Sequence, residues 1–106
     1  MNFEKILDDF EGDKELLTEA TNLFLESVRK QIGILRQAIS SDDADLVRRE
    51  AHSIKGGAAN LTADELSGVA FELENIGKSG TLGASTVVLE RLEKEFYRLD
   101  AFTKGG

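Results

Sequence analysis

His52 is the only imidazole in a chain of 106 residues that also lacks cysteine. Nucleophilic chemistry near neutral pH therefore falls to His52 or to no obvious side chain, since imidazole keeps an unprotonated nitrogen available in that range. If the surrounding segment is helical and advances ~100° per residue, Val47, Ala51, Ile54 and Ala58 share one apolar arc. His52 then lies roughly 140° from the centre of that arc and faces outward. Beside it on that face stand Arg48 and Arg49 one turn before, Lys55 and Gly56 one turn after, and Ala59 beyond. Three cations around one imidazole are suited to holding a phosphoryl group through charge-assisted hydrogen bonds. The plainer reading is a structural histidine on a solvated charged face, with Asp45 and Arg49 as an i,i+4 pair. Gly56 and Gly57 in mid-helix each cost on the order of 1 kcal/mol relative to alanine, so the pair implies close approach. Gly57 points toward the core edge, where another helix can pack, and Gly56 leaves bare backbone beside the imidazole, where a partner can press.

The whole-chain numbers narrow the classes. Thirteen Lys and Arg against twenty Asp and Glu give a net charge of −7, which argues against a nucleic-acid surface. At this length folding removes roughly 65% of the unfolded surface from water, enough for one core and too little for two, so residues 1–106 read as a single domain. No apolar run reaches the roughly 20 residues of a membrane span, and the N-terminus has no signal-like pattern; the expectation is a cytoplasmic monomer without membrane insertion. One histidine and scattered carboxylates make no tetrahedral metal site. No P-loop or glycine-rich nucleotide lid is present, so the chain is not expected to bind ATP or to phosphorylate itself.

The elements that must position His52 read as helices throughout. Phe3, Ile6, Leu7 and Phe10 predict a short first helix ending at Glu11-Gly12-Asp13. Asp13 caps a long second helix running to about Ser40, with Leu17, Phe24, Val28, Ile32, Leu35 and Ile39 on its core stripe. Ser41-Asp42-Asp43 breaks the chain before a third helix that carries Leu46, Val47, Ala51, Ile54, Ala58 and Leu61 inward. Thr62-Ala63-Asp64-Glu65 fits a capping box that starts a fourth helix, which Gly77-Lys78-Ser79-Gly80 stops. Its inward residues are Leu66, Val69, Ala70, Leu73 and Ile76. A last helix after Thr81 uses Val88, Leu89, Leu92, Phe96 and Leu99, and residues 102–106 read as a fraying tail. The predicted fold is all-α: an antiparallel up-down four-helix bundle with a short extra N-terminal helix.

Ala51-His52-Ser53-Ile54-Lys55-Gly56-Gly57-Ala58-Ala59-Asn60-Leu61, followed by Leu66, Ala70 and Leu73-Glu74, resembles the histidine-containing phosphotransfer (HPt) family. The resemblance implies that His52 is the phosphoacceptor, Lys55 the cation near the phosphoryl oxygens, and Gly56 the gap that admits a partner's active site. Glu74 matches the family's polar position on the next helix. On the wheel it flanks the apolar arc, where a carboxylate accepting the Nδ1 hydrogen would leave Nε2 as the nucleophile; the plain alternative is an exposed surface glutamate. The chain departs from the pattern at Thr62, where the family commonly has glycine, and at Phe71, an outward aromatic that either joins a docking patch or packs under the last helix.

The implied activity is a relay in which a response-regulator receiver's phospho-aspartate donates to His52 and a second receiver's aspartate takes the group. No cofactor is implied on this chain, and magnesium belongs to the partner receiver domain only. A histidine kinase is a further implied partner, since His52-Ser53-Ile54-Lys55-Gly56-Gly57 also resembles the phosphoacceptor domain of chemotaxis histidine kinases. A non-phosphorylated interaction bundle is the alternative of another class. Docking candidates are Arg48, Arg49, Ala59 and Phe71, with Gln31 and Ile34 brought near His52 if the second and third helices pair antiparallel. Leu16, Leu23 and Ile34 widen the apolar arc of the second helix, either for a partner or for contact with the first helix.

Overall fold

The computed structural model describes residues 2–105, and among these it contains five helices and no strand. They are α1 (Phe3–Asp9), α2 (Lys14–Ser40), α3 (Ala44–Asn60), α4 (Asp64–Ser79) and α5 (Ser85–Gly105). None is long and apolar enough to cross a membrane. The aspartates expected to start helices do so: Asp13 accepts from the Leu16 amide at 3.0 Å and Asp43 from the Leu46 amide at 3.1 Å.

The larger helices pack in the circuit α2 on α3, α3 on α4, α4 on α5 and α5 on α2. In each pair residue numbers rise along one helix as they fall along the other. Gln31 bonds Glu50 while Phe24 lies against Gly57, and Arg36 pairs with Glu93 while Arg29 pairs with Asp100. The shared core includes Leu25, Val28, Leu35, Val47, Ile54, Leu66, Leu73, Leu92 and Phe96. A smaller cluster of Ile6, Leu17 and Leu61 holds α1 against one end.

Several expectations change in detail. On α2 the buried positions are Leu17, Thr21, Leu25, Val28, Ile32, Leu35 and Ala38, while Phe24 and Ile39 are only half-buried. The buried arc is wider than the expected stripe and keeps its direction, since α2 packs against both α3 and α5. Leu16, Leu23 and Ile34 remain exposed and do not join the α1 cluster. On α3 and α4, Leu46 and Ile76 are half-buried at the core margin.

Thr62 does not cap α4. The helix starts after Ala63, which makes no side-chain cap bond, and the Thr62 hydroxyl accepts from the Asn2 amide. Thr62 is in the left-handed region at φ +54°, as are Glu11 and Asp42 at the equivalent places in the two preceding links. In all three links the next amide closes the finished helix, from Gly12 to Leu7, Asp43 to Ala38 and Ala63 to Ala58, each at 2.8 Å.

The Gly77-Lys78-Ser79-Gly80 segment does end α4, through Gly80 in the left-handed region at φ +77°, while Gly77 is buried inside the helix. A Cβ on Gly77 would lie 2.6 Å from the Arg48 amide nitrogen and 2.9 Å from the Ala44 carbonyl oxygen. That absence lets α3 and α4 approach closely. The expected tail is also different, since α5 stays helical through Gly105 with the Phe102 ring 5.4 Å from Phe3; only Gly106 of that segment lies outside the described residues.

Candidate functional site

α3 carries His52 on its outer face, with the side chain 65% exposed. Gly57 is the glycine that admits α2, because a Cβ there would meet the Phe24 ring at 2.5 Å, whereas Gly56 is exposed with nothing within 4 Å of that position. Bare backbone therefore lies one turn from the imidazole, and the two adjacent glycines have different causes.

The inner side of His52 is fixed from α4. Its Nδ1 is 2.9 Å from Glu74 Oε2. Glu74 is buried at 2% exposure rather than displayed on the surface. The Lys55 ammonium stands 2.7 Å from Oε1 and Lys78 stands 3.6 Å from Oε2. Lys55 above all, with the His52 bond and Lys78, lowers the Glu74 pKa from 4.5 to about 2, against the opposing effect of burial. The carboxylate is thus ionised at neutral pH and can only accept, so a neutral His52 carries its proton on Nδ1 and leaves the Nε2 lone pair free. The short distance between α3 and α4 that Gly77 permits brings the two side chains within reach.

The cations are arranged differently from the expected ring around His52. Arg48 and Arg49 both turn to Asp45, at 2.8 and 3.1 Å, and hold that exposed carboxyl below its usual range. The carboxylate one turn back on the same helix attracts both guanidinium groups, which the imidazole one turn ahead does not. Lys55 lies over the Phe71 ring, 5.2 Å from its centroid, as well as on Glu74. Phe71 itself is 48% exposed and outside the core cluster rather than packed under α5. Lys78, which the motif did not single out, was detectable only as the residue four after Glu74 on the same helix.

Among the docking candidates, Gln31 donates to Glu50 at 3.0 Å, two residues before His52, and Ile34 lies exposed about one turn along α2. Ala59 is exposed toward the α1 end of α3. No group of three or more His, Cys, Asp or Glu suited to a metal ion occurs among the described residues.

Fold and site together define an all-helical protein that presents one imidazole, oriented by a buried carboxylate from the adjacent helix. The model of the Hpt domain family matches residues 19–102, and the chain belongs to that family. Its fold is similar to the crystal structure of histidine-containing phosphotransfer protein B from Pseudomonas aeruginosa PAO1, with a TM-score of 0.88 and 27% identity over 95% of this chain and 89% of that one. Comparison with curated protein sequences gives no match.

Proposed function

We propose that the chain is a histidine phosphotransfer module of a phosphorelay, in which His52 takes a phosphoryl group from a receiver domain's phospho-aspartate and passes it to another receiver's aspartate. The observation that carries this reading is the His52–Glu74 pair, which commits Nδ1 to the protein and leaves Nε2 on an exposed ring. The Nε2 lone pair forms the N–P bond as the acyl P–O bond breaks, and the aspartate carboxylate leaves with the electron pair. The positive charge gained by the ring is shared across Nδ1 with ionised Glu74, and the reverse step restores neutral imidazole. Such transfer depends on alignment and charge stabilisation more than on covalent machinery.

Lys55 is the cation assigned to the phosphoryl oxygens. Its three N–H donors allow one to stay on Glu74 while another turns to the phosphoryl group. Arg48 and Arg49 are assigned to the docking rim together with Ala59, Gln31 and Ile34, and Gly56 to close approach of the partner. We read residues 1–106 as one domain, an antiparallel up-down four-helix bundle of α2–α5 with α1 as the extra helix. It acts in the cytoplasm as a monomeric intermediate without a kinase or nucleotide site, and magnesium is supplied by the receiver. Incubation with a phosphorylated receiver, followed by intact mass and site mapping, tests this. One acid-labile phosphoryl group on His52, absent in His52→Gln, is expected. No transfer from a panel of receivers to the folded protein would favour a kinase-fed phosphoacceptor or an interaction bundle.

A further inference from the structure

Phe71 is a large apolar side chain on the outer face of α4, left 48% exposed where a helix ordinarily presents polar groups. Its ring faces a charge, the Lys55 ammonium, 5.2 Å from the ring centroid. Lys55 is thereby held on two sides, by the ring and by Glu74 Oε1, and its side chain is 28% exposed against 61% for nearby Arg49. A lysine on an open helix face spreads over many rotamers, and the negative face of an aromatic ring restricts that spread by attracting the ammonium.

We propose that Phe71 is a positioning residue for phosphoryl transfer, its ring holding the Lys55 ammonium beside the His52–Glu74 pair so that a cation is in place when the phosphoryl group reaches Nε2. This inference rests on His52 being the phosphoacceptor. It differs from a docking role, because Phe71 would then act through Lys55 whether or not a receiver is present.

A small phosphodonor separates the two. With phosphoramidate, the Nε2 lone pair forms the N–P bond as the donor's own P–N bond breaks, and ammonia leaves with that electron pair. Labelling of the full chain, followed by intact mass, is compared for wild type, Phe71→Leu, Phe71→Tyr, Lys55→Met and the Lys55→Met/Phe71→Leu pair. An exposed cation–π contact corresponds to roughly a 2- to 5-fold slower rate for Phe71→Leu. Phe71→Tyr, which keeps the ring, should recover most of it, and the leucine change should add nothing once Lys55 is methionine. Equal labelling of wild type and Phe71→Leu overturns the inference, as does a loss that persists beside Lys55→Met. A defect confined to receiver-dependent transfer also overturns it and makes Phe71 a docking anchor. No label on wild-type His52 from either phosphoramidate or a phosphorylated receiver overturns the reading of the phosphoacceptor itself, and this inference with it.

Discussion

Replacing Glu74 by glutamine tests how the imidazole is held. The amide keeps the shape but loses the charge, and it can offer Nδ1 either a donor or an acceptor, so the ring is no longer confined to the tautomer with Nε2 free. A hydrogen bond to a charged group is worth about 1.5–3 kcal/mol, which converts to transfer from a phosphorylated receiver slowed roughly 10- to 150-fold. Single-turnover rates read the chemistry, and nitrogen NMR of the His52 ring reads the tautomer, with Nδ1–H dominant in wild type and mixed in Glu74→Gln. Stability supplies an independent check. The Glu74 pKa is depressed on folding from 4.5 to about 2, so the stabilisation is complete above about pH 4.5 and is lost as pH falls toward 2. Its ceiling is about 3 kcal/mol, reduced by solvent because Lys78 is more than half exposed. The stability gap between wild type and Glu74→Gln should therefore narrow across that window. A variant that transfers within twofold of wild type, or a gap that stays constant with pH, would refute the role given to this carboxylate.

Three glycine substitutions should separate by what a methyl group meets. Gly77→Ala strikes the backbone of Arg48 and Ala44 and should cost about 2–3 kcal/mol in a urea melt. Gly57→Ala strikes the Phe24 ring, which can move, and should cost about 1 kcal/mol after the gain in helix propensity. Gly56→Ala meets open space and should stabilise by about 0.5–1 kcal/mol, while slowing transfer from a receiver but not from phosphoramidate.

Local features were legible in the sequence, and features set between helices were not. Asp13 and Asp43 cap helices through amides three residues away, so their role is written in neighbouring residues. The outward placement of His52 and the flank position of Glu74 follow from the wheel. The wheel places Gly57 toward the core edge and Gly56 outward, as found, whereas the approach of Gly77 to Arg48 and Ala44 depends on where α4 crosses α3, which no single helix carries. Thr62 suits a cap by type, but closing α3 places it at φ +54° where an N-cap needs extended backbone, so α4 starts one residue later. The Asp45–Arg49 pair follows from its i,i+4 spacing, whereas the drawing of Arg48 to the same carboxylate does not follow from the face it shares with His52.

The exposure of His52 on a smooth helix face has a kinetic consequence for the proposed relay. One atom serves as both entrance and exit, and a receiver seated over it covers the same ground that the next receiver needs. Donor and acceptor cannot occupy the module together, so each must leave before the other arrives. The phosphoryl group must then survive on the ring between two encounters. Net flux follows the relative abundance of the receivers and their residence times, since the module itself has no second seat with which to favour one direction.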